Sequence, residues 1–350
     1  MSILKLLGID VPIIQAPMAG TSTPALAAAV SNAGGLGSIG IGAMTAPEAR
    51  AAIAAIRERT ARPFNVNVFC HQPAGRDEAR ERAWLEQLRP EFARFGAVPP
   101  AEIHEAYRSF LKDPDTLAAL LETRPKVVSF HFGLPEAGWI AQLRDAGIVL
   151  FSTATNEREA RLAVDAGVNA IVAQGFEAGG HRGMFNADGP DDQLGTAVLV
   201  RQLVKALDIP IIAAGGIMDG AGISASLRTG AAAAQLGTAF IATDESAADA
   251  GYRATLFSDA AQHTVMTRAI SGRPARCLAN SFTALGASIP AEEVPAYPIA
   301  YSAAKALHAL AKAGGDFGYG AYWAGQAAPR ARSMPAGKLM AALIQEMQRT

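Results

Sequence analysis

The sequence predicts a (β/α)8 barrel, the TIM-barrel fold, with a helical insertion and a C-terminal cap region. In the first 245 residues, eight short segments are continuously apolar, which is typical of parallel strands buried on both faces. An amphipathic segment lies between most of them, and repeated strand–helix alternation is typical of an α/β barrel. The length of 350 residues allows a barrel of about 250 residues with added segments.

Local signals support the individual elements. Glycine follows several helical segments, as at Gly34 and Gly147, where a left-handed residue often ends a helix. Asn156 precedes Glu157 and is expected to cap a helix N-terminus. An open doubly wound sheet is the alternative fold. Strands are predicted at residues 12–16, 36–40, 64–69, 127–132, 148–152, 170–174, 211–214 and 233–236, and helices at 23–33, 47–59, 135–146, 157–166, 196–207 and 220–229.

Two stretches interrupt the alternation and divide the chain. Residues 74–123 are charged and have a helical pattern, which predicts an insertion with helices at 76–94, 101–111 and 115–122. After the barrel, residues 1–245, the pattern changes. Helical segments at 244–258 and 303–313 and an irregular or extended stretch at 269–280 predict a cap over residues 246–330. Residues 331–350 form a C-terminal segment with a helix at 336–348.

Composition argues against several classes of protein. The net charge of −1 indicates no nucleic-acid partner, and no apolar run is long enough for a membrane helix. The N-terminus lacks the pattern of a secretory signal. Cys70 and Cys277 lie outside any C-x-x-C pair, so we expect reduced thiols in the cytoplasm rather than disulfides or zinc. The histidines form no recognised metal-binding motif, so no metal is expected. The protein is expected to be a monomer or a homodimer.

Glycines and polar residues gather where the predicted strands end. In a parallel barrel these ends meet at one face, which carries the active site. Gly215 and Gly216 follow the seventh strand, and Gly237 and Thr238 follow the eighth, which contains Gln235. Glycine lets backbone N–H groups approach a phosphate, and loops at this position commonly bind one. Ordinary tight turns are the alternative, and two adjacent glycine loops favour phosphate.

The loop after the sixth strand, residues 174–183, contains four glycines. His181 and Arg182 are expected to project from this flexible stretch. Histidine can exchange a proton near neutral pH, so His181 is a candidate catalytic residue. A surface histidine in a mobile loop is the alternative.

Three other strand ends carry candidate ligand contacts. His131 ends the fourth strand and is either a core histidine or a ligand contact. Asn67, at the end of the third strand, could bond to the edge of a heterocycle or cap a local turn. Met18 follows Pro17 after the first strand, where it could pack in the core or present its backbone to a flat ring.

These strand ends together resemble the nitronate monooxygenase family, formerly called 2-nitropropane dioxygenases. The motifs are PIIQAPMAG at 12–20, NVNVF at 65–69, HFG at 131–133, QGFEAGGHRG at 174–183, AAGGI at 213–217, QLGTAF at 235–240 and YGAYWAGQ at 319–326. The resemblance implies FMN without a metal, and a catalytic role for His181. The implied FMN contacts are Ala16, Pro17, Met18, Asn67, Gln174, Gly179, Gly180, Gly215, Gly216, Gln235, Gly237 and Thr238. The implied substrate pocket comprises Tyr107, His131, Tyr301, Lys305 and Tyr319.

The resemblance also implies an activity: oxidation of an alkyl nitronate by O2 to a carbonyl compound and nitrite or nitrate. Propionate 3-nitronate is the expected substrate, and its detoxification the expected role. An FMN-dependent NAD(P)H reductase of the enoyl-acyl-carrier-protein or quinone reductase type shares the EAGGH loop and is the alternative. A barrel of the inosinate dehydrogenase type needs a nucleophilic cysteine, and neither Cys70 nor Cys277 matches well. A flavin-binding sensor is the non-enzymatic alternative.

Overall fold

Eight parallel strands form the centre of the molecule. In the computed structural model, which describes residues 2–349, their order is β1-β9-β8-β6-β5-β4-β3-β2, and a bridge between Ile14 and Leu36 links the two ends. The barrel is therefore nearly closed, which confirms the predicted TIM barrel over the open sheet. The strands are β1 (Ile13–Gln15), β2 (Gly37–Gly40), β3 (Phe64–Phe69), β4 (Val127–His131), β5 (Val149–Ala154), β6 (Ala170–Gln174), β8 (Ile211–Ala214) and β9 (Ala233–Leu236), while β7 (Gly180–His181) lies in a second sheet.

Helices surround this barrel. The C-terminal helix packs between the first and last of the others, so it belongs to the ring rather than to a separate segment. The ring helices are α2 (Pro24–Asn32), α3 (Ala46–Arg57), α5 (Pro114–Thr123), α6 (Ala137–Asp145), α7 (Glu157–Asp165), α8 (Thr196–Ala206), α9 (Gly220–Arg228) and α13 (Ala336–Gln348). Within residues 2–349, no helix is both long and apolar enough to cross a membrane.

Capping residues explain where several ring helices begin. Thr45 and Glu48 form a reciprocal capping box at α3, which satisfies backbone donors that the helix leaves free. Asn156 Oδ1 accepts from the backbone N–H of Glu159 at 2.9 Å, which confirms the predicted cap of α7. Gly147 has a φ of +78°, a left-handed conformation that suits glycine just after α6.

One end of the barrel is filled with apolar side chains. The interior cluster includes Ile14, Phe151 and Ile212, all fully buried. The short helix α1 (Ile3–Leu7) packs Ile3 and Leu7 against this cluster, next to the strand N-termini. Because this end is plugged, a ligand has access to the interior only from the carboxyl ends of the strands.

The insertion and the cap form one cluster over the carboxyl ends. Trp84 and Leu88 of α4 (Glu78–Arg94) pack with Ile299 and Leu307 of the cap. The cap elements are α10 (Ala250–Leu256), β10 (Thr264–Thr267), β11 (Ala275–Leu278), α11 (Ser281–Gly286) and α12 (Ile299–Ala313).

The helix predicted at residues 101–111 is wrong, because this stretch is a loop that ends in a single 3₁₀ turn, Phe110–Lys112. Ile103 packs in the cap cluster, whereas Phe110 packs in the cluster between the strands and the ring helices. A loop can bridge two clusters on different sides of the chain, which one helical face cannot do. The third predicted helix of the insertion is α5 of the ring.

A small antiparallel sheet joins the barrel to the cap. Strand β7 pairs with β11, with His181 opposite Ala275, and β11 pairs with β10. The loop that the sequence predicts to be flexible is therefore an ordered strand at His181. This pairing fixes the backbone of the candidate catalytic residue.

Candidate active site

A single cavity at the open end of the barrel contains most of the predicted site. All twelve predicted cofactor contacts line it, although the sequence places them in loops spread over more than two hundred residues. Four of the six predicted catalytic and pocket residues also line it: Tyr107, His131, His181 and Tyr301. The structure therefore brings these segments together at one mouth, as expected for the carboxyl ends of barrel strands.

The glycine side of the cavity, defined here as Gly179, Gly180, Gly215, Gly216 and Gly237, consists mainly of backbone. Gly215 and Gly216 have φ values of +128° and +70°, which residues other than glycine rarely adopt. A Cβ at Gly215 would stand 2.7 Å from Thr196 Oγ1. Close packing and backbone conformation therefore both require glycine here.

Backbone donors on this side are free to bind a ligand. Within residues 2–349, the N–H groups of Gly216, Gly237 and Thr238 donate no hydrogen bond to the protein. The N-terminus of α9 is already capped, since Asp219 Oδ1 accepts from the N–H of Gly222 at 2.8 Å. The donors available on this side are therefore loop N–H groups rather than those of a helix N-terminus.

The glutamate of the EAGGH motif is a helix cap. The Glu177 carboxylate accepts from Thr196 N at 2.8 Å and from Thr196 Oγ1 at 2.8 Å, at the start of α8. A carboxylate at this position accepts from backbone N–H groups that the helix leaves free. Its negative charge also interacts favourably with the positive end of the helix dipole. Glu177 thus holds the loop after β6 against α8.

The amides Asn67 and Gln174 hold the strand ends in register. Asn67 Nδ2 donates to Ser129 O at 3.0 Å and to Ser129 Oγ at 2.9 Å. Gln174 Nε2 donates to the His181 carbonyl at 3.0 Å, and its Oε1 accepts from Gly183 N at 2.7 Å. Both side chains line the cavity, and Gln174 also fixes the backbone that carries the histidine.

His181 is held among aromatic rings at the cavity wall. Its Nε2 lies 2.9 Å from Ser271 Oγ in the cap. Its ring centroid is 5.0 Å from Trp323, 5.2 Å from Tyr297 and 5.7 Å from Phe132. Burial, followed by the charge of Arg273, holds the pKa of His181 well below the ordinary histidine value, so the imidazole is neutral near pH 7.

His131 supports His181 from the barrel. Its Nδ1 lies 3.0 Å from Thr153 Oγ1, and its Nε2 lies 3.4 Å from the His181 carbonyl oxygen. Since a carbonyl only accepts, Nε2 carries the proton and Nδ1 accepts from Thr153. Burial lowers the pKa of His131 to about 3, with a further contribution from the charge of Arg273.

Two cations that pack against rings of the cavity wall have no carboxylate partner within residues 2–349. Arg273 is 4% exposed, and its guanidinium lies 4.2 Å from the ring centroid of Phe132. Lys305 Nζ lies 4.3 Å from the ring centroid of Tyr107 and 5.1 Å from that of Tyr301. Burial lowers the pKa of both cations, that of Arg273 to about 10. Unpaired cations beside a cavity favour an anionic ligand.

Lys305 stands behind the tyrosine rings rather than on the cavity surface, whereas Tyr319 lies away from the cavity. The Tyr319 hydroxyl contacts Glu91 and Arg94, which ties α4 to the YGAYWAGQ segment. Its position therefore gives no support to a pocket role for Tyr319. Other residues of the YGAYWAGQ segment line the cavity, including Trp323 and Gly325.

Arg182 does not project into solvent as the sequence suggests. It is 1% exposed, and its guanidinium forms a bidentate pair with Asp191 at 2.8 and 2.9 Å. It also donates to the Gln174 and Gly175 carbonyls. Arg182 therefore secures the loop, and His181 alone of the two reaches the cavity wall.

Several residues around His181 escaped the sequence analysis, namely Ser271, Arg273, Tyr297 and Trp323. They lie in the cap, at least ninety residues further along the chain, and no motif links them to a histidine. A search for polar residues in the extended stretch at 269–280 would have found the first two. His71 is also buried behind this wall, and neither ring nitrogen has a hydrogen-bond partner.

The described residues, 2–349, contain no group of three or more His, Cys, Asp or Glu that could hold a metal ion. Cys70 and Cys277 are both buried and unpaired. Burial raises the pKa of each thiol, so neither is poised as a nucleophilic thiolate.

The fold and the cavity define an α/β-barrel enzyme with a ligand site at the carboxyl ends of its strands. The sequence profile of the nitronate monooxygenase family matches residues 2–346, so the chain belongs to this oxidoreductase family. Nitronate monooxygenase of Paraburkholderia phytofirmans is 60% identical over 349 residues, which cover 100% of this chain and 95% of the relative. Nitronate monooxygenase of Pseudomonas aeruginosa is 51% identical over 98% of each chain.

Solved structures support the same assignment. Nitroalkane oxidase from Streptomyces ansochromogenes is 42% identical and superposes with a TM-score of 0.90, over 100% of this chain and 98% of the other. FabK from Thermotoga maritima is 30% identical with a TM-score of 0.74, over 100% of this chain and 96% of the other. The chain is thus more similar to the nitroalkane oxidase than to FabK.

Proposed function

We propose that this protein binds FMN at the barrel mouth and oxidises alkyl nitronates with O2 to a carbonyl compound and nitrite or nitrate. The observation that carries the proposal is a pair of cations with no carboxylate partner within residues 2–349, Arg273 and Lys305, packed against rings that line a cavity with a neutral histidine in its wall. A nitronate is an anion, and a charge-assisted contact in a dry pocket contributes about 1.5–3 kcal/mol. Propionate 3-nitronate is the proposed substrate, and its detoxification in the cytoplasm the proposed role.

The residues at the mouth fit FMN. The free N–H groups of Gly216, Gly237 and Thr238 are suited to the phosphate, and the positive φ of Gly216 brings the backbone close. Asn67 and Gln174 can meet the polar edge of the isoalloxazine ring. The turn at Met18 is fixed because its backbone N–H donates to Ser22 Oγ at 2.9 Å. A bound flavin supplies the electron acceptor and the reaction with O2.

The side chains of the opposite wall act on the substrate. Tyr107 and Tyr301 line the cavity, and the Lys305 ammonium packs against both rings, so the tyrosine hydroxyls can donate to the nitronate oxygens while the ammonium attracts the negative charge. Within residues 2–349, Nδ1 of His181 has no protein partner, and this nitrogen is free to take the α-proton of a neutral nitroalkane. The aromatic rings around His181 exclude water from that transfer.

O2 uptake tests the proposal directly. Purified enzyme loaded with FMN is mixed with propionate 3-nitronate, and in parallel with NADH. Rapid O2 uptake with the nitronate supports the proposal. Fast anaerobic bleaching of the flavin by NADH without a nitronate reaction would identify a reductase instead, and a protein that never takes up FMN would refute both assignments.

Variants of Lys305 test whether the enzyme prefers an anionic substrate. We expect Lys305→Met to raise the KM for the nitronate about threefold or more, because a positive charge packed against the rings of the cavity wall is lost, although it makes no direct contact with the substrate. Neutral nitroethane should be affected much less. Lys338→Met, which removes an exposed ammonium on α13, is the matched control.

A further inference from the structure

Barrel and cap hold His181 from opposite sides. From the barrel, Gln174 Nε2 and His131 Nε2 both approach its carbonyl oxygen, at 3.0 and 3.4 Å. From the cap, Ser271 Oγ lies 2.9 Å from its ring Nε2. The backbone is thus fixed by one part of the fold, while the ring orientation depends on a single hydroxyl from the other.

The surroundings of Ser271 determine the direction of that hydrogen bond. Its hydroxyl lies 3.3 Å from the Arg273 carbonyl oxygen, and its oxygen accepts from the Arg273 N–H at 3.4 Å. Ser271 is fully buried, and a buried carbonyl left without a donor costs about 1–3 kcal/mol. The serine proton therefore satisfies the Arg273 carbonyl. With the serine proton on that carbonyl, the serine oxygen accepts the hydrogen bond of His181, which places the imidazole proton on Nε2.

The turn that carries Ser271 has little freedom to move. Gly272 has a φ of +91°, and a Cβ there would stand 2.6 Å from the backbone nitrogen of Tyr297. The side chain of Arg273 anchors the other end of the turn through the Arg182 and Met184 carbonyls and the face of Phe132. The hydroxyl is consequently held at one position relative to the imidazole.

We propose that Ser271 is the positioning residue for His181: it fixes the imidazole as the Nε2–H tautomer, with the Nδ1 lone pair free to act as the base. The inference rests on the proposed function for its kinetic consequence, but the tautomer is a property of the folded enzyme. A ring that could exchange tautomers would present an N–H on Nδ1 part of the time, and an N–H cannot remove a proton.

Charged and titratable groups from each neighbouring element favour the same neutral form. Arg273 belongs to the same turn as Ser271, His131 ends β4 and His71 follows β3, while Tyr297 and Tyr301 come from the cap. Burial and then the Arg273 charge lower the pKa of His181, and the two other histidines contribute in the same direction. Protonation therefore does not compete with the tautomer choice near neutral pH.

Long-range ¹H–¹⁵N NMR of FMN-loaded enzyme labelled with ¹⁵N-histidine reads the tautomer directly. The His181→Asn variant identifies the relevant signals. We expect His181 in the unmodified enzyme to carry its proton on Nε2. A proton on Nδ1, or averaged signals from two tautomers, would overturn the proposal without any variant.

Kinetics of Ser271 variants test the consequence. We expect Ser271→Ala to lower kcat/KM for neutral nitroethane about tenfold and to affect the nitronate reaction about twofold or less, because only the neutral substrate needs the base. Ser271→Thr keeps the hydroxyl and should restore most of the loss. Thr243→Val removes a hydroxyl of equal burial that bonds only the Phe240 carbonyl, and is the matched control.

The two measurements separate the two hypotheses. Unchanged tautomer and unchanged nitroethane kinetics in Ser271→Ala would refute the role of Ser271. If the unmodified enzyme shows no nitronate oxidation, the proposed function fails, while the NMR result still decides whether Ser271 sets the tautomer.

Discussion

The glycine side of the cavity and the wall around His181 recognise ligands in different ways. On the glycine side, Gly216 and Gly237 line the cavity, and within residues 2–349 their backbone N–H groups donate to no protein group. Around His181, recognition depends on side chains from the barrel and the cap, including the hydroxyl of Ser271 and the buried charge of Arg273. The first side offers a ligand the backbone of closely packed loops, and the second offers it positioned side-chain groups.

Because one side consists of backbone and the other of side chains, the two sides should respond differently to substitutions. A backbone site fails when a Cβ is added, because the conformation itself is lost. A side-chain site fails when a functional group is removed, although the conformation survives. Substitutions can therefore separate loss of cofactor from loss of chemistry.

The largest expected effect comes from His181→Asn. Loss of a general base lowers rates by roughly 10²–10⁴-fold, and we expect a fall in this range for neutral nitroethane. The bound FMN should be unchanged, because the glycine side is intact. Stopped-flow reduction and the flavin absorbance measure the two quantities. Equal loss of FMN and turnover would show that the two sides are not separable.

The pH dependence of kcat/KM in the unmodified enzyme tests the proposed role of His181 as a base. Because the pKa of His181 is held well below 6.5, the base stays neutral through the ordinary histidine range. We expect kcat/KM for nitroethane to be flat from neutral pH down past 6.5, and then to fall about tenfold per pH unit as the base protonates. A nitronate should not show this decline. The same profile for both substrates would contradict a base role.

Gly215→Ala should act on the cofactor. A residue with a Cβ at φ +128°, 2.7 Å from Thr196 Oγ1, must shift the loop. We expect FMN affinity to fall about tenfold or more, which corresponds to about 1.4 kcal/mol. Fluorescence titration with FMN measures this change. Gly337→Ala, where a Cβ meets no atom within 4 Å, is the control and should bind FMN normally.

A smaller effect concerns stability at acid pH. Burial lowers the pKa of His71 to about 4, so the unfolded chain binds a proton below pH 6.5 while the folded protein does not. Stability is therefore full above pH 6.5, and His71 removes about 1.4 kcal/mol per pH unit between pH 6.5 and 4. His71→Leu should make this dependence shallower by about 1.4 kcal/mol per pH unit in urea unfolding at pH 5 and 7, while the buried His131 and His181 keep the remainder. His104→Leu, at an exposed position, is the control.

The smallest expected effect belongs to Tyr319→Phe. It removes the hydroxyl that contacts Glu91 and Arg94, outside the cavity. We expect a loss of about 1 kcal/mol in unfolding free energy and no change in KM for the nitronate. Denaturant unfolding and steady-state kinetics measure both. A raised KM with unchanged stability would restore the pocket role that the sequence predicts.

The barrel could be predicted from sequence because its signals are local. Each strand is a short apolar run, and helix starts such as Asn156 carry their own caps. The sequence could not predict that α13 joins the ring of helices, or that residues 101–109 form a loop. Both features depend on packing between segments that are distant along the chain. Helical periodicity describes one face of one segment, and it does not say what that face contacts.

The residues of the candidate site also fall into those that local sequence signals predict and those that depend on contacts between distant segments. The glycine loops are contiguous in sequence, so Gly215 and Gly237 stand out beside their strands. Ser271 and Arg273 meet His181 only because β7 pairs with β11, a contact between segments some ninety residues apart. Neither Lys305 nor Tyr319 lines the cavity, a placement that a motif does not reveal, because Lys305 packs against the Tyr107 ring and the Tyr319 hydroxyl contacts Glu91.

The pairing of β7 with β11 also constrains how the enzyme exchanges molecules. His181 shares a ladder with the cap while its carbonyl is bonded to barrel residues. Lifting the cap would break one of these attachments, so an open mouth would displace the residue that we propose as the base. Under the proposed function, substrate entry through a lifted cap and proton removal by His181 would therefore occur at different stages of the catalytic cycle.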